Sequence, residues 1–516
     1  MPDGPLLPYT PCMVESTVSE TLFWSSLRAV LVACCALWPL LMLQRVWERT
    51  PGSGWRIRTI AAAVLPFFIP ELLTGFHYRI QATIWAAQLA PAWNAIFTEG
   101  LYAFLQLLRA VSAGAIVLLL LPGNPAAAAR LHTWDLLRAA LPAKVWLAGR
   151  LRLLLTEVFP APLAAWSVMA LIVFQEFETA ALMQIDRHPL TWTVWMFDAH
   201  AAQQPLAESL SMVAGPLAVE LLLLAPLALV AGSCCGSRPR TVSAFFAGEQ
   251  RQAGRGLRVT ATVYALIAIL VLIGIPTLRL GTEAISGLRL LWGTPRLLQQ
   301  SLTQVLTSTA VSAGVAMAAL AVCGLLINEL RTTSRTRLRA IAVCALALLP
   351  GLAGSLAISL TLLALFQTPW LRPLYDTWLP MVLGQLFGVL PRAFALQLLL
   401  GRHASGESVF SAEQLCRSPH GGVRGAAAGI VWRLVDVRWL GALLLLTQWC
   451  FWDVTSTSIL RPLTPEPAVT RLYNEMHFAR TEVLLGLTAV SALCPVLLWM
   501  GGLLLSRAVR KKRTRS

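Results

Sequence analysis

Lysine is almost missing from this chain: Lys144, Lys511 and Lys512 are the only three among 516 residues. None stands in a GxxxxGK[ST] frame, the glycine-rich turn and lysine that cradle nucleotide phosphates, so the chain is not a P-loop ATPase. Charge of either sign is scarce, at 13% of residues against 57% hydrophobic. No HExxH, GxSxG or DxD-like acidic cluster occurs, which removes the usual footholds of zinc, serine and metal-dependent enzymes. The ten cysteines form no CxxC pair and no Cys/His ligand spacing. Several of them (Cys34, Cys35, Cys323, Cys344, Cys494) sit inside apolar runs, where a thiol packs as a small apolar side chain.

What abounds is long apolar sequence. Many runs approach the roughly 20 residues that a helix needs to cross hydrocarbon, so the chain reads as an all-α integral membrane protein. Eleven spans are expected, near 21–44, 59–77, 100–121, 159–182, 207–231, 258–276, 303–327, 340–366, 379–400, 439–460 and 482–506. The tryptophans, 19 in all, gather near span ends (Trp24, Trp38, Trp47, Trp55, Trp432, Trp439, Trp499), as interface anchors do.

Charge placement gives these spans a direction. With the N-terminus outside, the inner loops and the tail 507–516 hold 29 of the 41 basic residues, the outer segments nine, and only Arg28, Arg109 and Arg392 fall within spans. That asymmetry follows the positive-inside rule and supports an odd number of spans, with Arg510–Arg513 in the cytoplasm. The net charge of +16 is thus mostly membrane orientation, and no nucleic-acid partner is implied. The N-terminus has no basic region before its first apolar run, so no cleavable signal is expected and the first span stays.

Two stretches 277 residues apart repeat one pattern. Phe174, Glu176, Thr179, Leu182, Thr193, Asp198 and His200 fall on Phe451, Asp453, Ser456, Ile459, Thr470, Glu475 and His477 without a gap. The repeat extends upstream, because a span, a basic turn and a span carrying Leu65-Pro66 recur before Leu349-Pro350. Residues 1–232 therefore read as a first half of five spans and 259–516 as a second of six, joined by a Gly-, Ser- and Arg-rich connector at 233–258. Tandem membrane repeats commonly build a pathway where they meet.

Acids at span edges are costly in lipid unless they face protein or water, which marks Glu71, Glu176, Glu178, Glu220 and Asp453. The repeat matches Glu176 with Asp453, so with Glu178 and Ser456 they are the pathway candidates; the alternative is a carboxylate that bonds a neighbouring helix. His200 and His477 each follow an acid by two residues in an outer segment. A metal-ligand role is weak for two such separated histidines, and a docking or structural role is favoured, shared with Thr193 and Thr470. Arg109 and Arg392 are expected to face the bundle or to snorkel. Each half also has a long inner loop, 122–158 and 401–438, with a short helix-forming stretch, Trp134–Ala140 and Ser411–Cys416, that needs a partner to pack on.

The chain resembles, over its whole length, the fused permease subunits of bacterial binding-protein-dependent ABC importers, in particular the iron(III)/thiamine/phosphonate group. The match is best at Trp452-Asp453-Val454-Thr455-Ser456-Thr457-Ser458-Ile459-Leu460 followed by Val469-Thr470-Arg471-Leu472-Tyr473-Asn474-Glu475-Met476-His477-Phe478. The first-half counterpart, Glu176-Phe177-Glu178-Thr179-Ala180-Ala181-Leu182 then Thr191-Trp192-Thr193-Val194, is similar but weaker. The resemblance implies two homologous permease halves of the type I importer kind in the bacterial inner membrane. It also implies a dimer of ATPase subunits carrying the ATP, a periplasmic substrate-binding protein meeting the outer segments, and no cofactor in this chain. Iron(III) is the first cargo it points to, with thiamine, phosphonates and polyamines open. In that family each long inner loop carries a Glu-Ala-Ala…Gly…Ile-x-Leu-Pro signature whose coupling helix docks on the ATPase. Asp135, Arg138, Ala139 and Ala140 stand there in the first loop; Glu413, Gln414, Leu415 and Gly421 stand there in the second. Neither loop keeps the motif letters: Gly421 is two residues too far, and Val431-x-Arg433-Leu434 replaces the closing element. An ion-coupled secondary transporter and a lipid-linked transferase are the readings from other classes.

Overall fold

The computed structural model describes residues 18–49, 53–120, 125–183, 191–201, 206–234, 254–332, 337–403, 437–462, 464–477 and 481–513, with scattered residues of 411–432. Among them there is no strand. In the first half, α1 (Val18–Arg49) leads to α2 (Ser53–Val64), α3 (Glu71–Gln88) and α4 (Pro91–Leu120). Two short helices, α5 (Pro125–Leu136) and α6 (Ala143–Leu153), precede α7 (Pro160–Gln175), α8 (Glu178–Met183), α9 (Trp192–Ala201) and α10 (Leu206–Cys234). Next come α11 (Arg255–Ile269) and α12 (Ile275–Gly293), joined by a π turn at Leu270–Gly274. The second half holds α13 (Pro295–Thr332), α14 (Arg337–Leu352), α15 (Ser355–Phe366) and α16 (Leu379–His403). It closes with α17 (Val437–Phe451), α18 (Val454–Leu460), α19 (Ala468–His477) and α20 (Thr481–Arg513).

Six of these helices are long and apolar enough to cross a membrane, or eight when each sharply bent pair counts as one span. The chain is thus an all-α protein of membrane-spanning composition. The bent pairs are 57–67 with 71–88, turned by 73°, and 342–352 with 355–366, turned by 96°. Three shorter apolar helices, Pro160–Gln175, Leu210–Pro226 and Val437–Phe451, occupy the remaining expected segments. All eleven expected segments therefore carry helix, but several differ from the uninterrupted spans expected. Segments 159–182 and 439–460 are broken at Glu176 and Asp453, the third begins at Pro91, and residues read as an outer connection form α12.

The breaks have local causes. Pro66 and Pro70 lack the N–H that would continue a helix, and Ile69 between them is extended (φ −79°, ψ 131°). Gly354 takes φ +86° and ψ 150°, a conformation that only glycine adopts without strain, and so turns the chain between α14 and α15. Glu176 (φ −63°, ψ 131°) and Asp453 (φ −73°, ψ 90°) leave the helical region just before α8 and α18. An extended residue followed by a helix is the setting in which an acidic side chain can fold forward onto the new N-terminus.

Packing joins the halves. One apolar cluster holds Leu40, Ala110 and Met169 together with Leu360, Met381 and Ile459. A second gathers Leu72, Leu105 and Leu182 with Phe451, Leu472 and Leu485. Ala29, Ala33 and Ala36, all fully buried, lie at helical spacing on one face of α1. Small residues so placed let helices approach closely, the main source of helix association where lipid removes the hydrophobic driving force. Of the connector expected at 233–258, α10 and α11 take the two ends, and 235–253 lies outside the described residues.

Candidate functional site

All four helix breaks meet at one cavity of about 120 Å³. Ile69, Pro70 and Glu71 line it from the α2/α3 bend, Gln175 to Glu178 from the α7/α8 break, Ser355 and Leu356 from the α14/α15 bend, and Trp452 and Asp453 from the α17/α18 break. Arg109, Arg392, Gln448 and Thr455 complete its polar surface. The sequence-matched acids Glu176 and Asp453 therefore line one cavity, and Glu178 lines it with them.

Their chemistry is that of helix caps. Glu176 accepts from the backbone N–H groups of Thr179 (2.5 Å) and Ala180 (3.1 Å), and the Tyr102 hydroxyl donates to it at 2.6 Å. Asp453 accepts from the N–H of Ser456 at 3.1 Å, capping α18. Glu178 reaches across the halves, with one oxygen on the N–H of Leu72 in α3 and the other on the N–H of Val454 in α18, both at 3.1 Å. Three carboxylates thus satisfy five backbone donors that the breaks would otherwise leave orphaned. In an apolar surrounding each such orphan costs several kcal/mol.

The remaining charges are ordered by the same packing. Arg109 and Glu71 form an ion pair, as do Arg28 and Glu99. The Arg392 guanidinium lies over the Trp449 ring at 5.4 Å. The Gln175 amide donates to Glu220 at 3.0 Å and to the carbonyl of Leu352 at 2.7 Å, so α7, α10 and the α14/α15 bend are tied together. Spacing alone gave no sign of Arg109 or Gln175 as site residues; the only signal was an unusual polar side chain within an apolar run.

Several expected residues lie elsewhere. Ser456 is fully buried beside Gly384, and Thr455 lines the cavity instead. Thr193 and Thr470 are 1% and 2% exposed, which leaves neither a surface for a partner. The Thr193 hydroxyl donates to the carbonyl of Glu176 at 2.7 Å and so braces the break from α9. Burial raises the Asp198 carboxyl to about 6 and lowers the His200 imidazole below its usual value. The His477 side chain lies outside the described residues, and among those described no three His, Cys, Asp or Glu side chains are placed to hold a metal ion. In the first inner loop Asp135 pairs with Arg150 at 3.1 Å, while Arg138, Ala139 and Ala140 form an exposed tip. The expected helix at Trp134–Ala140 is instead the end of α5 and a 3-10 turn. In the second loop Gln414 and Leu415 are helical and exposed, whereas Glu413 and Gly421 lie outside the described residues.

Fold and site together define a helical membrane protein whose interrupted helices enclose a small charged cavity. No family model, curated protein or solved structure matches the chain.

Proposed function

We propose that the chain is the translocation subunit of an ATP-driven importer, two fused permease halves in the bacterial inner membrane that pass a small solute inward by alternating access. The observation that carries this reading is the repeated device at Glu176 and Asp453: an apolar helix stops, an acid caps a short helix, and both copies face one polar cavity. Irregular backbone deep within apolar helices is tolerated where it lines a cavity, and transporters place their solute sites at such half-helix ends.

In this reading eleven segments cross the bilayer, the N-terminus is periplasmic and the C-terminus cytoplasmic. A dimer of ABC ATPase subunits engages the inner loops through the Arg138–Ala140 tip and through the second loop around Glu413, Gln414, Leu415 and Gly421. A periplasmic substrate-binding protein delivers cargo at the outer segments. Iron(III) is the first cargo to assay, on the strength of the motif at 452–478.

Co-purification tests the assignment. A nucleotide-binding subunit should be recovered with the chain, and Glu413→Arg should reduce its recovery and the substrate-stimulated ATP hydrolysis more than Asp135→Arg, whose residue is already engaged by Arg150. The cluster of carboxylates at the cavity is also what an ion-coupled carrier uses, and solute transport by the chain with no ATPase recovered beside it would favour that second reading, whereas full ATPase association in the Glu413 variant would remove only Glu413 from the docking contact.

A further inference from the structure

Helices α5 and α6 form a hairpin that holds itself together before it touches anything else. The Trp134 indole donates to the carbonyl of Trp146 at 2.9 Å, and the Trp146 indole donates to that of Trp134 at 3.2 Å. Arg138 and Arg150 both lie over the Trp146 ring, at 5.1 and 5.2 Å, and Arg150 also holds Asp135. Gly149 is required here, because a Cβ on it would sit 2.0 Å from the Trp134 ring.

The hairpin's outer side carries apolar surface with no cover among the described residues. Leu147, Leu151 and Leu155 recur at four-residue spacing on one face of α6 and its continuation, and are 60%, 52% and 58% exposed. The segment is basic: residues 125–158 hold five Arg and Lys (Arg130, Arg138, Lys144, Arg150, Arg152) against two acids, and Lys144 and Arg152 are on α6 itself. In the chain the hairpin stands between two apolar helices, α4 (ending at Leu120) and α7 (beginning at Pro160).

We propose that α6 lies on the cytoplasmic leaflet, with Leu147, Leu151 and Leu155 in the headgroup boundary and Lys144 and Arg152 on anionic lipid headgroups. Apolar side chains flanked by Lys and Arg are the pattern of helices that rest on an anionic membrane surface. The partner is the lipid surface, and this contact rests on the inner placement of residues 122–158, not on the ATPase. Its consequence for the proposed function is mechanical: the hairpin is held flat while the Arg138–Ala140 tip stays free for a second protein.

The test is amide hydrogen exchange of the full chain in lipid nanodiscs without any ATPase, comparing phosphatidylcholine alone with a mixture containing phosphatidylglycerol. Exchange across residues 143–155 should slow in the anionic discs, by about fivefold for each basic side chain engaged. The Lys144→Glu, Arg152→Glu variant, which leaves the tryptophan lock intact, should lose that lipid dependence. Leu147→Ser with Leu151→Ser and Leu155→Ser should lose the protection in both lipids. Equal exchange in the two lipid compositions, or protection that arises only when an ATPase subunit is added, would overturn the proposal; the second outcome would leave the import reading intact.

Discussion

Glu178 and Val454 are 276 positions apart in the chain, yet the Glu178 carboxylate accepts the Val454 backbone N–H at 3.1 Å while its other oxygen accepts that of Leu72. One side chain therefore caps two helices, one in each half, at the wall of the cavity. Glu178→Ala should orphan both donors, at about 1–3 kcal/mol each. Thermal unfolding in detergent should show a clear loss of stability, and Glu178→Gln, which keeps one acceptor oxygen, should fall between the variant and the parent. An unchanged midpoint for Glu178→Ala would remove the cross-half cap from the account.

Asp453 separates two roles that its position allows. If its work is to cap α18, Asp453→Asn should retain most solute uptake, because an amide oxygen can still accept the Ser456 N–H, whereas Asp453→Leu should lose both uptake and stability. If its work is to line a cation pathway, Asn and Leu should be equally inactive. Uptake kinetics of the two variants, read beside their yields in the membrane, decide the matter.

The bend at Gly354 gives a backbone prediction. At φ +86° and ψ 150°, an alanine would be strained by about 1–3 kcal/mol, and its Cβ would press on the Gln175 side chain at 3.2 Å. Gly354→Ala should therefore lower stability and loosen the Gln175 bonds to Glu220 and Leu352. A neutral outcome would mean that this bend carries no constraint.

Topology follows from the charge asymmetry. A reporter fused after Ser516 should be cytoplasmic and one placed ahead of α1 periplasmic. Both ends on one side would contradict the odd number of crossings and the pairing of five spans with five.

Much of the helical content could be read from hydropathy, because apolar runs in a chain this poor in charge have few other forms to take. The matching of Glu176 to Asp453 was legible for a different reason: a duplication preserves spacing, and spacing is visible in one sequence. The breaks were not. Gln175, Glu176 and Glu178 are polar, but Phe177 and the Thr179–Met183 stretch are apolar again, so the segment reads as one span with a polar edge and not as two helices. Only Pro66, Pro70 and Pro350 gave a local hint of bends. The roles of the acids were hidden as well, since a carboxylate lining a pathway and one capping a helix share the same letter. Which N–H groups Glu178 meets depends on a contact across the two halves that no local pattern contains. The α5/α6 hairpin was read as one short helix because its stability lies in the Trp134 and Trp146 cross-bonds rather than in propensity. Helix α12 was read as a connection because Arg279, Glu283 and Arg289 break its apolar run.

Uptake into sealed proteoliposomes shows whether this chain forms a solute pathway driven by a separate ATPase. The chain should be reconstituted with and without a nucleotide-binding subunit, with a loaded binding protein outside and ATP inside, and iron(III) should be the first cargo followed. Accumulation should occur only when the ATPase subunit and ATP are both present, and should be lost in the Asp453→Leu variant. Uptake by the chain alone, unaffected by ATP, would contradict the ATPase-driven pathway.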